Sequence, residues 1–355
     1  MNQTPNDPTP DAVQALHRSI LTLDTHVDIP WPDRGDFATG ADSRCSDLPK
    51  MREGGMGAAC LVAYVGQGAV SDTGHAAASA KALAMLEVIN SARDLPGVRV
   101  CDSADALLAA HAAGDIAIIP AVENGYTIGQ DIGLLARFRA HGVRYMTLTH
   151  NGHNALADSA RPMAHLGDEA EPHGGLSALG RAAVAEMNRL GMLVDVSHTS
   201  RRTMMQAVEL SRAPVLASHS CVRALCDHPR NLDDGQLDAL RACGGVIHIT
   251  AMDAFLCPRD VRQTHRVGVA DFVDHIDYAV KRIGIAHVGI SSDFDGGGGI
   301  EGWANAAQAP NLTAELMRRG YDRAQIAALW GGNFVRILRQ AEEVAAAMPA
   351  AQGAS

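Results

Sequence analysis

Leu193-Val-Asp-Val-Ser-His198 (LVDVSH) is a short apolar run that ends on an imidazole. It follows a helical pattern over Leu176–Leu190 that stops at Gly191. A helix closed by glycine and then a strand-length run without strict alternation is one unit of a parallel sheet buried on both faces. Working outward, seven more such runs occur. Before it come Ile20–His26 (ILTLDTH), Ala58–Val65 (AACLVAYV), Ile116–Asn124 (IAIIPAVEN) and Val143–His150 (VRYMTLTH). After it come Ala213–Ser220 (APVLASHS), Gly244–Thr250 (GGVIHIT) and His287–Gly296 (HVGISSDFDG). Further helical patterns cover Asp72–Ala92, Asn231–Ala242, Asp271–Ile283, Thr313–Gly320 and Tyr321–Ala347. Strands alternating with helices mean βαβ units, and eight of them predict a closed (β/α)8 barrel of the TIM type. An open doubly wound sheet is the other arrangement, but no GxGxxG follows the first run.

The 355 residues contain no linker rich in proline or serine. They are read as one domain over residues 11–345, with mobile segments at 1–10 and 346–355. Apolar residues make up 47% of the chain, enough for a sizeable core. With 30 basic and 40 acidic residues the net charge is −10, which disfavours phosphate backbones and so excludes a nucleic-acid partner. No uninterrupted apolar stretch reaches the roughly 18 residues of a membrane span. The polar start MNQTPNDPTPDA does not read as a secretory signal, and seven cysteines without CxxC spacing read as reduced thiols. A cytoplasmic protein is expected.

Polar residues fall where the strands end. The first run ends in His26-Val-Asp28, the third in Glu123, the fourth in His150, the fifth in His198, the sixth in His219 and the last in Asp293. A barrel gathers its strand C-termini at one mouth, so these distant residues would share one small volume. Each has an ordinary reading alone: a buried imidazole bonded to backbone, a carboxylate capping a helix, an aspartate satisfying turn amides. Together, His26, Asp28, Glu123, His198 and His219 are a donor set suited to zinc and its neighbours, and costly to bury unpaired. Five ligands exceed one tetrahedral ion. Two zinc ions roughly 3.5–4 Å apart fit better, with Glu123 bridging, His26 and Asp28 on one and His198 and His219 on the other. Such a site lowers the pKa of bound water from 15.7 to about 7 and so yields a hydroxide nucleophile. Asp293 is the candidate proton carrier, and His150 the candidate donor to a developing oxyanion. Arg230, after the sixth run, is either a fork for a substrate carboxylate or a surface ion pair. The segments Ala155–Gly175 and Ala251–Gly268 are long for plain connections and belong at the mouth.

Taken together, LDTHVDIP, AVENGY, GVRYMTLTHN, GGLSALGRAAVAEMNRLGMLVDVSHTS, ASHSCVRALCDHPRNLDD, GISSDFDGGG and WGGNFVRIL resemble the membrane (renal-type) dipeptidase family of binuclear zinc metallopeptidases. The resemblance spans Leu21 to Leu338. It implies an amidohydrolase-like barrel that cleaves L-Xaa-L/D-Xaa dipeptides with two zinc ions. It also implies His26, Asp28, bridging Glu123, His198 and His219 as ligands. By the same resemblance His150 contacts the scissile carbonyl, Arg230 binds the substrate's terminal carboxylate, and Asp293 is the acid/base. A homodimer is implied at family level only. Two stretches depart from the better-known animal members: Glu123-Asn-Gly-Tyr126 and the residues from Asn151 onward. Both are expected to line the substrate pocket. The other readings are a lactonase or phosphotriesterase of the amidohydrolase type, whose metals are commonly bridged by a carboxylated lysine, and a non-catalytic metal-binding relative.

Overall fold

The computed structural model describes residues 7–29, 31 and 36–348. Nine strands are present: β1 Leu23–Asp28, β2 Ala58–Tyr64, β3 Val98–Val100, β4 Ile116–Glu123, β5 Tyr145–Thr147, β6 Leu193–Asp195, β7 Leu216–Ser220, β8 Val246–Thr250 and β9 Val288–Ser291. Eight pair in parallel in the order β1-β2-β4-β5-β6-β7-β8-β9. The ends of that path meet as well. Asp28 N donates to Phe294 O at 3.0 Å, and Asp293 N donates to His26 O at 3.1 Å. The sheet is therefore a nearly closed parallel barrel; seven of its eight strands lie within runs expected from the sequence, and β1 extends two residues past its run, to Asp28.

The ninth strand was not legible. β3 is three residues long and pairs with the start of β4, Val98 with Ile116 through Val100 with Ile118. β5 pairs only with the end of β4, at Val122 and Glu123. One strand thus has two neighbours along its length, where periodicity leaves no mark. Six α-helices among the described residues also went unread: Pro10–Arg18, Leu48–Gly54, Ala104–Ala113, Gly133–Ala140, Arg201–Leu210 and the short Asp253–Leu256. Ala104–Ala113 carried the signs, with Ser103 accepting Ala106 N and Gly114 closing it at φ 75°.

The C-terminal helical pattern is broken rather than continuous. Arg323–Ala327 leads into a π-helical turn, Ala328–Gly332, and then Asn333–Ala347. At Gly331 a Cβ would lie 2.6 Å from Leu21 O, so glycine lets this turn press against the chain entering β1. Beside it Trp330, Trp303 and Phe294 pack edge to face under the β9–β1 seam. Of the terminal segments, 1–6 and 349–355 lie outside the described residues, while Pro10 opens the first helix and residue 347 ends the last. All seven cysteines are free. No helix among the described residues is long and apolar enough to cross a membrane.

Candidate active site

The barrel brings the predicted residues to one mouth. His26 and Asp28 lie on β1, Glu123 ends β4 and His219 lies on β7. His150, His198 and Asp293 follow β5, β6 and β9 by two or three residues. Glu123 divides the group. Its Oε2 is 3.6 Å from His26 Nε2, which is itself 3.6 Å from Asp28 Oδ1. Its Oε1 is 3.2 Å from His198 Nε2 and 3.4 Å from His219 Nε2. His198 and Asp293 sit at φ 65° and 61°, left-handed backbone that is uncommon for non-glycine residues and clusters at functional sites. A Cβ at Gly296 would lie 2.5 Å from Asp293 Oδ1 and 2.8 Å from Asp28 Oδ2, so glycine is what lets these two carboxylates share the rim.

The hydrogen-bond network orients the imidazoles. Tyr145 Oη donates to Thr25 O at 2.8 Å, so at 3.0 Å it accepts from His26 Nδ1. Ser218 Oγ donates to Asp195 Oδ2 at 2.6 Å and accepts from His219 Nδ1 at 2.9 Å. Asn151 Oδ1, 3.3 Å away, accepts from His198 Nδ1. Each Nδ1 therefore has an acceptor outside the site and each Nε2 faces Glu123, which is how a protein orients histidines for a metal. Asp195 anchors this shell, accepting also from Thr147 Oγ1 at 2.6 Å, Ser218 N at 2.9 Å and Ser197 N at 3.0 Å. Tyr145, Asp195 and Ser218 were missed in the sequence. The usable signal was a charged residue inside LVDVSH, a run buried on both faces. Replacing Asp195 with asparagine is expected to weaken zinc affinity about 10–100-fold, read by competition with a chromogenic chelator; unchanged affinity would remove it from this role.

The donor set fits cations. His26 Nε2, Asp28 Oδ1 and Glu123 Oε1 are buried without a hydrogen-bond partner. Burial, with Asp28 and Glu123 nearby, pushes the Asp293 carboxyl up to about 8 against the pull of His26 and Arg230. Burial likewise raises Glu123, against the pull of His26. For His26, burial opposes the charge but Glu123 and Asp28 overcome it and raise the ring well above its ordinary value. Three buried carboxylates thus gather beside one buried guanidinium, Arg230, and one imidazole drawn toward its charged form, His26. His150 is held neutral by burial and by Arg230, down to about 3.

Arg230 is not a surface ion pair. It is 3% exposed, donates from Nη2 to His219 O at 3.1 Å, and lies 5.2 Å over the Phe255 ring. It borders a cavity of ≈ 300 Å³ that opens onto the carboxylates and imidazoles, beside Asn151, Arg161, His228 and Met252. Of the two departing stretches, Asn151 lines this cavity, but Asn124-Gly125-Tyr126 does not. Asn124 turns at φ 85° and donates to Val65 O at 3.0 Å, and the Tyr126 hydroxyl donates to Ala69 O at 2.8 Å. A separate group, Cys257, His265 and Asp271, also lies within ligand range. There Asp271 accepts Gly268 N at 2.8 Å and both its oxygens lie 2.9 Å from His265 Nε2, the arrangement of a satisfied helix cap.

The family model for membrane dipeptidase (peptidase family M19) matches residues 11–352. Dipeptidase aclJ of Aspergillus oryzae is 40% identical over 236 residues, covering 66% of this chain and 54% of that protein. Dipeptidase tcpJ of Claviceps purpurea is 34% identical over 338 residues, covering 93% of this chain and 76% of that protein. The chain therefore spans about half the length of the first of these relatives and three quarters of the second. Among solved structures, the probable dipeptidase PvdM from Pseudomonas aeruginosa is 31% identical and superposes with a TM-score of 0.88, over 95% of this chain and 100% of that one.

Proposed function

The chain belongs to the membrane dipeptidase family, peptidase family M19, and from that premise we propose that it is a metal-dependent dipeptidase working with two zinc ions. His26 and Asp28 would hold one ion, His198 and His219 the other, with Glu123 available to both. The observation that supports this most is the split of the Glu123 carboxylate, one oxygen toward each group of imidazoles. When bound, the ions supply Lewis acidity and activate water as a nucleophile near neutral pH.

The protein's own residues do the rest. Asp293 takes the proton of the attacking water and passes it to the leaving amine. Neutral His150 donates an N–H to the oxyanion that develops on the scissile carbonyl. Arg230, buried and with its Nε unpartnered, pairs with the substrate's terminal carboxylate and so measures its length. A longer peptide carries that charge elsewhere and fits badly. Seven unpaired thiols support a reducing compartment, the cytoplasm.

The test is zinc-loaded protein incubated with L,L and L,D dipeptides. Release of free amino acids is expected, and none from any dipeptide at full metal content would discard the reading. Arg230→Ala is expected to raise KM for free dipeptides by about 10–100-fold, the worth of a charge-assisted pair, with a much smaller effect on C-terminally amidated ones. Equal losses on both would remove Arg230 from this role.

A further inference from the structure

We infer that Arg161 is a specificity-determining residue that pairs with an acidic side chain on the second residue of the dipeptide, so that substrates ending in aspartate or glutamate are favoured. The inference rests on the dipeptidase reading and names the substrate class for the same site.

The cavity carries charge of both signs. It is lined by three carboxylates, Asp28, Glu123 and Asp293, and by two guanidiniums, Arg161 and Arg230. Arg161 belongs to the long segment after β5, and its backbone is fixed to the catalytic wall. Its N–H donates to Ser159 Oγ at 3.1 Å, and its carbonyl accepts Gly152 N at 2.8 Å. The same Ser159 hydroxyl lies 2.5 Å from His150 O and 3.2 Å from His198 O, and Ala160 N donates to His198 O at 2.7 Å. Arg161 is therefore placed by the segments that carry two of the site histidines.

Its side chain is exposed and makes no hydrogen bond or ion pair among the described residues. Three of the four acidic side chains of its own loop are engaged elsewhere. Asp168 accepts His153 N at 3.0 Å and Met163 N at 2.8 Å; Asp158 accepts His173 N at 3.1 Å and Gly175 N at 2.8 Å; Glu171 pairs with Arg202 at 3.3 Å. A guanidinium held over a substrate cavity without a protein anion is a recognition element awaiting one. His228 and Arg230 line the same cavity as Arg161. With Arg230 on the main-chain carboxylate, a second carboxylate on the same residue stays within the cavity that Arg161 borders.

The experiment compares kcat/KM for Ala-Glu against Ala-Gln and for Glu-Ala against Gln-Ala, with the zinc-loaded wild type and with Arg161→Met. The wild type is expected to prefer Ala-Glu over Ala-Gln by about tenfold, the worth of a hydrogen bond to a charged group. Arg161→Met is expected to collapse that ratio toward one, with its loss on Ala-Glu several-fold larger than its loss on Ala-Gln. Arg161→Lys is expected to restore part of the ratio, which mere repair of the fold would not do. Cleavage of all four dipeptides with no preference for Ala-Glu, with the preference confined to Glu-Ala, or with a ratio unmoved by Arg161→Met would overturn the inference and leave the dipeptidase reading standing. Cleavage of none would overturn both.

Discussion

Asp293→Asn is expected to keep both zinc ions and to lose kcat by about 10²–10⁴-fold, the usual contribution of a positioned acid/base. The substitution is close to isosteric. Its backbone is fixed by Asp293 N donating to His26 O and by Gly296 N and Gly298 N donating to Asp293 O at 3.2 and 2.8 Å. The left-handed φ of 61° suits asparagine as well as aspartate. What the amide removes is a group that takes up a proton and gives it back. Elemental analysis and steady-state kinetics on one preparation check this. Retained turnover, or loss of the ions along with turnover, would contradict the assignment.

Glu123→Gln is expected to have the larger effect. An amide keeps one carbonyl oxygen and replaces the other with a donor that cannot bind a cation. Because one oxygen of Glu123 faces His26 Nε2 and the other faces His198 Nε2 and His219 Nε2, either orientation deprives one side of the site. Zinc content is expected to fall from two per chain to one or none. kcat/KM should drop by more than about 10³-fold, since each ion supplies several kcal/mol of stabilisation. Two retained ions in this variant would show that Glu123 does not connect the metals.

The barrel and the imidazoles and carboxylates gathered at its mouth were legible for one physical reason. Parallel strands buried on both faces read as near-continuous apolar runs, so a histidine or carboxylate ending such a run stands out against them. LVDVSH and ASHS announced their histidines in this way. The supporting shell was hidden for the converse reason. Tyr145 looks like another apolar strand residue and Ser218 like a small one, and only three dimensions bring their hydroxyls against His26 and His219. Asp195 stood in plain view but was absorbed into the motif that ends in His198. Arg230 was ambiguous because its loop reads as surface, yet the fold buries it beside Phe255 and His219. The Asn124–Tyr126 stretch was expected in the pocket because it departs from the better-known animal members, but Asn124 turns at φ 85° and the side chains of Asn124 and Tyr126 bond to Val65 O and Ala69 O.

The central claim is that two cations share the Glu123 carboxylate. Crystals of the zinc-loaded protein, measured at the zinc absorption edge, test it most directly. Two anomalous peaks are predicted, one in bonding range of His26 Nε2 and Asp28, the other of His198 Nε2 and His219 Nε2, with one oxygen of Glu123 on each. A single peak, or peaks lying away from Glu123 such as at Cys257 and His265, would contradict it.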